Sequence, residues 1–442
     1  MRPDLTSALR QACALAGDVT GWQTDWTGRT TGRALAVALP ASTAEVAAVL
    51  AVCRAHQTRV TIAGGRTGLV AGAVPDDTVV LATNRLIGVQ VEGRSVLAGA
   101  GVTLAEVQAA ARVAGLAYGV DLAARDTATV GGMVSTNAGG LRVVGFGTTR
   151  AQVLGVEAVL ADGSVISRLH GLAKDATGYD LSQLLVGAEG TLAVITAARL
   201  RLVGLSNSRQ TVLAPVDSVA AAVALVARAQ QEADHLTAAE LLMANGVALV
   251  GALTGLPALP PAPAYVLLEA EGGLEQVVDK DALLAADHAD ARRFWAYREG
   301  LTEAVSRLGV PHKLDVSLPM SSLAAFVSAL PSVTGQHLVH LWGHLGDGNL
   351  HVNVVGPAVD DETVDDAVLR LCAERGGSIG AEHGIGRVKV RWLGLSRSPA
   401  ELAAMRAVKT AWDPTGLLNP GVLLGPAVLL GPDDQLPLGS EA

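Results

Sequence analysis

Two histidines flank a glycine-rich turn in residues 342–354, WGHLGDGNLHVNV. His344 and His351 stand on either side of Gly346-Asp347-Gly348-Asn349, residue types that tolerate turn backbone angles, and the flanks are apolar and rich in β-formers. The stretch reads as strand, tight turn, strand, with both imidazoles near the mouth of a hairpin. Further on, residues 380–386 read GAEHGIG and place Glu382 and His383 among glycines. Two imidazoles and a carboxylate are a ligand set for a catalytic divalent cation with open positions. That set suits zinc, and manganese and iron(II) are compatible with it. The spacing alone fits equally a hairpin whose histidines are merely hydrogen-bonded. On a regular strand Glu382 and His383 would point to opposite faces. Both reach one site only if Gly380 and Gly384 bend the chain.

The elements that position these groups belong to a chain of 442 residues, for which two or three domains are expected. Half of the residues are hydrophobic and 17% are charged, the profile of a folded protein with an ample core. A net charge of −9 argues against nucleic acid as the main partner. Cys13, Cys53 and Cys372 are scattered, and no CxxC pair exists. Neither a disulfide framework nor a thiolate metal site is indicated, and a reducing compartment fits. The first residues, MRPDLTSALRQACALAGDV, lack the uninterrupted apolar run of a signal peptide. The most apolar stretches, 241–268 and 420–432, are broken by Gly and Pro. They are too short between breaks to span a bilayer. The expectation is a cytoplasmic protein that is not transmembrane.

Upstream, strand and helix signals alternate. Ser42 and Thr103 open capping-box patterns ahead of helices over 46–55 and 104–114, and strands are expected over 58–62, 79–82 and 95–98. Between them lies the loop GGRTGLVAG, residues 64–72. Its glycines let the backbone approach a ligand, and successive N–H groups make an anion nest beside Arg66. It lacks the Gly-Lys-Ser/Thr of a Walker loop and the spacing of a Rossmann turn. A denser cluster, DTATVGGMVSTNAGG at 126–140, offers short hydroxyl and amide donors and two Gly-Gly pairs. It fits a backbone-built site for a large polar ligand; it fits also a small-residue helix ending in glycine. Two strands over 152–166 turn at Asp162-Gly163, and a boundary is expected at 203–209. Beyond it come strand 210–215, helix 218–231, strand 264–270, one long helix 288–309, strand 313–318 and the histidine hairpin.

In combination these motifs identify a resemblance. GGRTGLVAGAVP, DTATVGGMVSTNAGGLRVVGFGTTRAQVLGVEAVLADGSVI, GYDLSQLLVGAEGTLAVIT, GHLGDGNLHVN, GAEHGIG and DPTGLLNPG occur in the order seen in FAD-dependent D-2-hydroxy acid dehydrogenases of the vanillyl-alcohol-oxidase type. The group includes D-2-hydroxyglutarate, D-lactate and glycolate dehydrogenases, and the resemblance runs from about residue 26 to 424. It implies an α+β architecture. Residues 1–205 would form a two-subdomain FAD-binding domain. Residues 206–375 would form a cap with an antiparallel sheet and helices on one face. Residues 376–442 would complete the site and return to the FAD domain.

The resemblance assigns flavin contacts to Gly64, Gly65, Arg66, Thr67, Gly68 and Leu69; to Thr127, Thr129, Gly131, Gly132, Ser135, Asn137, Gly139 and Gly140; and to Glu189, Gly190 and Asn419. Where members often carry Pro and Asn, this chain has Ile62 and Arg66. The nearest histidine to the loop is His56, on the preceding helix side, so non-covalent FAD is expected. Arg298 and Lys313 resemble the cations that hold the substrate's carboxylate charge, with Thr302 one turn from Arg298. His344, His351 and Glu382 resemble the metal ligands, Asn353 a substrate-contacting amide and His383 the base. The implied reaction oxidises a D-2-hydroxy acid, best D-2-hydroxyglutarate, to the 2-oxo acid. D-lactate and glycolate are the alternatives. The acceptor would be an electron-transfer flavoprotein, a quinone or a cytochrome, and a homodimer is left open. Two readings of other classes stand beside it: a metal-dependent hydrolase, and a flavin-binding subunit without catalysis.

Overall fold

The computed structural model describes residues 4–425 apart from 173 and 207, so residues 426–442 of the expected C-terminal segment lie outside it. Ser42 accepts the Glu45 N–H and starts helix Thr43–Ala55, whose Val46, Val49, Leu50 and Cys53 are buried. Thr103 and Glu106 form a complete capping box on helix Leu104–Val113. These helices pack on two small sheets. In the first, Arg33–Leu39 and Val60–Ala63 run parallel to Asp76–Ala82, with Ala14–Leu15 added at the edge. The second is antiparallel, in the order Val89–Glu92, Ser95–Gly99, Ala193–Arg201, Val153–Leu160, Val165–Ser167. One apolar cluster joins residues of both sheets to Leu417 and Leu418. Leu418 pairs with Val60, which brings the C-terminal stretch back to the first sheet.

The middle of the chain builds a seven-stranded antiparallel sheet. Its order is Leu283–Leu284, Gln210–Val216, Ala264–Gly272, Asp234–Met243, Leu338–His344, Asn349–Val355, His312–Ser317. Its strands are apolar at successive positions. Val212, Val266 and Leu268 join one cluster with Phe326 and Val368, whereas Leu213, Tyr265 and Leu267 join another with Phe294, Tyr297 and Leu301. Helices therefore cover both faces, not one, because side chains alternate across a strand and both sets here are hydrophobic. The expected single helix 288–309 is two, His288–Glu299 and Leu301–Ser306. They meet at Gly300, where an added Cβ would lie 2.8 Å from Val250 Cγ1.

Candidate active site

The sheet face that carries Trp342 also carries the polar side chains. The ladder pairs Lys313 with Asn353 and His340, Asp315 with His351 and Trp342, and Glu240 with His344. Alternation turns these residues to one side. Against that side the glycine-rich stretches of the N-terminal half close a cavity of about 620 Å³, a size suited to a sizeable organic ligand.

The hairpin delivers its two imidazoles as the sequence suggests, through a short 3₁₀ turn at Leu345–Asp347. Each ring is held on its Nδ1 side by a buried carboxylate. His344 Nδ1 donates to Glu240 Oε1 at 2.5 Å, and His351 Nδ1 lies 3.4 Å from Asp315 Oδ1. The Nε2 atoms face inward, 3.4 Å apart, and Glu382 Oε2 is 3.4 Å from the first and 3.9 Å from the second. Carboxylates behind imidazoles are the arrangement that fixes tautomer and direction in metal-ligating histidines. Burial opposes a charge on His344, yet Glu240 and Glu382 hold its pKa well above the usual histidine value, so the point where the two Nε2 atoms and the Glu382 oxygen converge favours positive charge. The donor set fits a divalent metal.

Asp315 organises the rest. Its Oδ1 accepts from Asn349 Nδ2 at 2.8 Å, and its Oδ2 accepts the N–H groups of Glu382 and His383 at 2.8 and 2.9 Å. Burial alone would raise its pKa, but the charges of His383 and His351 and the His351 hydrogen bond hold it well below the carboxylate range. Two consecutive N–H groups on one oxygen curl the chain, so Glu382 and His383 reach one cavity. Gly384 and Gly386 take the left-handed angles this needs, and Gly380 does not. A Cβ on Gly386 would meet Val70 O at 1.9 Å. The His383 ring stacks on His351, centroids 5.6 Å apart, with Nδ1 3.8 Å from Asp315 Oδ2. Burial pushes its pKa below the usual histidine value, against the pull of Asp315.

Arg298 is buried, and its Nε donates at 2.5 Å to Glu240 Oε2, the second oxygen of the carboxylate that holds His344. Burial opposes the ionised form of Glu240, yet His344 and Arg298 keep its pKa low. Thr302, Lys313 and Asn353 line the same cavity.

Across the cavity, the 64–68 loop lies against the 127–132 stretch so closely that a Cβ on Gly65 would sit 1.9 Å from Thr127 O. A Cβ on Gly64 would sit 2.6 Å from Thr129 Oγ1. That Thr129 hydroxyl is buried on the cavity wall with no partner among the described residues. A cradle of glycine backbone and an orphaned hydroxyl fit a large phosphate-bearing cofactor. Arg66 is on the wall, but its guanidinium lies over Trp22 at 4.7 Å and donates to Gly21 O. Residues 130–136 do form a short helix, and Asn137 ends it in a left-handed conformation, accepting from Arg150 N. Asn137 is not among the cavity-lining residues; the other residues expected there are. Glu189 bridges the halves, its two oxygens taking the N–H groups of Ile385 and Gly386 at 2.8 and 2.7 Å. Asn419 accepts from Ile62 N and donates to Glu189 O.

Residues 34–168 match the family described as FAD binding domain, and residues 205–423 match FAD linked oxidases, C-terminal domain. A D-2-hydroxyglutarate dehydrogenase of Xanthomonas citri pv. viticola is 36% identical over 91% of this chain and 92% of its own. The mitochondrial D-2-hydroxyglutarate dehydrogenase of Bos taurus is 36% identical over 90% of this chain and 78% of its own. The chain belongs to the FAD-dependent D-2-hydroxy acid dehydrogenase family. It is a flavoprotein oxidoreductase acting on a CH–OH donor. In structure it is similar to 4-ethylphenol oxidase from Gulosibacter chungangensis, with a TM-score of 0.75 at 16% identity over 96% of this chain and 97% of the other. It is similar too to alkyldihydroxyacetonephosphate synthase, with a TM-score of 0.72 at 13% identity over 95% and 85%. Those likenesses bear on the fold, which is vanillyl-alcohol-oxidase-like as expected. Among the described residues no helix is long and apolar enough to cross a membrane.

Sequence reasoning passed over Glu240 and Asp315, the carboxylates behind the histidines, and the buried Lys389, whose Nζ donates to Ile379 O and Asp315 O. A signal existed. Glu240 in TAAELLM and Asp315 in HKLDVS are acidic residues inside apolar strands, which fold only if paired.

Proposed function

We propose that this enzyme oxidises D-2-hydroxyglutarate to 2-oxoglutarate, with FAD bound non-covalently and a divalent metal, zinc or else manganese or iron(II), at His344, His351 and Glu382. The observation that carries the reading is the convergence of those three ligands, in a single cavity, with two cationic side chains, Arg298 and Lys313. A dicarboxylate uses both cations. D-lactate and glycolate, with one carboxylate, leave one of them without a partner. The relatives named for D-2-hydroxyglutarate support the same choice.

When bound, FAD supplies the acceptor for the C2 hydride, and a divalent cation supplies Lewis acidity toward the substrate's hydroxyl oxygen. This chain's residues do the rest. Arg298 is pinned by Glu240 through Nε, which leaves its terminal nitrogens for a carboxylate. Lys313 adds a point charge, and Asn353 and Thr302 offer neutral hydrogen bonds. His383 keeps Nδ1 toward Asp315 and takes the hydroxyl proton at Nε2, a transfer suited to imidazole near neutral pH. Glu189 and Asp315 hold the loop that presents it. His56, the C-cap of helix Thr43–Ala55, is off the cavity wall, which favours non-covalent flavin.

The domain division at 205/206 and 375/376 belongs to the same proposal. The composition of the core clusters favours it, although Ile379 and Trp392 pack with the cap. Three unpaired, buried thiols suit a reducing compartment such as the cytoplasm.

The test is an anaerobic visible spectrum of the holoenzyme with D-2-hydroxyglutarate, and with D-lactate on a fresh sample, each with and without prior chelation. Bleaching of the flavin band by D-2-hydroxyglutarate, abolished by chelator and restored by metal, is the expected result. Preferential bleaching by D-lactate would overturn the substrate. Bleaching indifferent to chelator would overturn the metal. Reoxidation by a flavoprotein, a quinone analogue or cytochrome c then separates the acceptors.

A further inference from the structure

Lys313 stands on the cavity wall, and among the described residues its ammonium has no carboxylate partner. What it has is an aromatic face. Its Nζ lies 4.9 Å from the ring centroid of Trp26, a side chain that comes from the N-terminal half, is 57% exposed and lines the same cavity.

Trp26 is placed by a built turn. Asp25 N donates to Thr30 O, and the Asp25 carboxylate accepts from Thr27 Oγ1 at 2.8 Å. The hydroxyls of Thr24 and Thr31 close the base of the turn at 3.0 Å, and Arg29 crosses to the cap, donating to Val359 O at 2.5 Å. Structure is spent here on holding a large aromatic ring in the open, over a cation that burial already pushes below the ordinary lysine pKa. A ring face attracts a cation without neutralising it. Unlike a carboxylate partner, it leaves the full positive charge available to an incoming anion and does not compete for the ammonium's protons.

We propose that Trp26 is a specificity-determining residue for the second carboxylate of the substrate: it orients the Lys313 ammonium into the cavity and covers the distal end of a bound dicarboxylate. The inference rests on the reading of Lys313 as a carboxylate-binding cation. It adds that the selectivity of this cation is set from the opposite half of the molecule. Monocarboxylates, held at Arg298 alone, do not feel Trp26.

The test compares wild type with Trp26→Leu, Trp26→Phe and Lys313→Ala as holoenzymes. Glutarate and butyrate are titrated as dead-end ligands and read by perturbation of the flavin absorbance, with KM and kcat for D-2-hydroxyglutarate measured alongside. Trp26→Leu is expected to weaken glutarate binding roughly 3- to 30-fold, the range of a partly desolvated cation–π contact. Butyrate binding stays level, and most of the kinetic loss falls on KM. Trp26→Phe, which keeps a π face, recovers most of the glutarate affinity. Equal weakening of both acids by Trp26→Leu, or failure of Phe to do better than Leu, overturns the proposal. So does unchanged glutarate binding in Trp26→Leu while Lys313→Ala loses it, an outcome that leaves the role of Lys313 intact. If Lys313→Ala itself binds glutarate normally, the underlying reading of Lys313 fails, and this proposal with it.

Discussion

His344 and His351 present their Nε2 atoms to each other at 3.4 Å, with a buried carboxylate behind each ring. That approach, with the Glu382 carboxylate beside it, favours positive charge between the rings. The purified enzyme is therefore expected to carry one divalent ion per chain, and His344→Ala to lose it while keeping the yellow flavin spectrum. Elemental analysis beside the visible spectrum checks this. Full metal content in His344→Ala would remove the histidine from the ligand set.

Glu240 is the one carboxylate shared by Arg298 and His344. Glu240→Ala strands a buried guanidinium and frees a histidine tautomer. Breaking a buried pair from one side costs about 3–5 kcal/mol, so a marked drop in apparent Tm is expected. Weaker binding of both metal and glutarate should accompany it. Arg298→Ala should weaken glutarate with less effect on metal. Denaturation curves and titrations of the two variants separate the effects.

His383 stands outside the proposed ligand trio, and its backbone and ring both sit on Asp315. His383→Ala is expected to retain FAD and metal and to lose roughly two to four orders of magnitude in turnover, the scale of a lost general base. Near-normal rates of flavin reduction in that variant would assign the proton elsewhere.

Gly65 has no room for a side chain, since a Cβ would overlap the Thr127 carbonyl at 1.9 Å. Gly65→Ala should push the loop off the 127–132 stretch and spoil the flavin cradle. The cap sheet, which does not touch that contact, should fold normally. The expected purified protein is colourless and folded, as read by absorbance and circular dichroism.

The thiols are expected to be silent. Burial pushes Cys53 and Cys372 up to about 12, and it raises Cys13 as well. At pH 8 the thiolate, the reactive form, is then depleted to on the order of one part in ten thousand at the first two, and it grows only as pH climbs toward their pKa. Native protein should resist iodoacetamide at pH 8 and take up three equivalents once unfolded. Rapid labelling of the folded form would mean that these sites open to solvent.

Much of the site was legible because its parts have unusual local chemistry. Histidines around Gly-Asp-Gly-Asn and paired glycines declare a turn and a close approach at the level of single residues. The supporting shell was not legible in the same way. Glu240 and Asp315 act through partners that lie 104 and 36 residues away along the chain, at His344 and His351, and no local pattern encodes those pairings. The helices on the second face of the large sheet were missed for a related reason. A strand buried on both sides reads as an unbroken apolar run, and nothing in such a run says how many layers cover it. Asn137 sits among ligand-like neighbours, but its backbone ends one helix and its side-chain oxygen accepts from Arg150 N, a pairing 13 residues along the chain that no local pattern encodes.

Glu382 gives one oxygen to the pair of histidines and the other, at 2.5 Å, to the N–H of Gly140 in the flavin-side glycine stretch. The two halves of the site thus share a border one carboxylate wide. A ligand that draws Glu382 toward the histidines lengthens its bond to Gly140, and one that stiffens the glycine stretch fixes Glu382 for the histidines. By thermodynamic reciprocity, whatever one occupant does to the other's affinity is returned by the same factor. The coupling between an occupant of the histidine side and an occupant of the glycine side is therefore a measurable property of this single side chain.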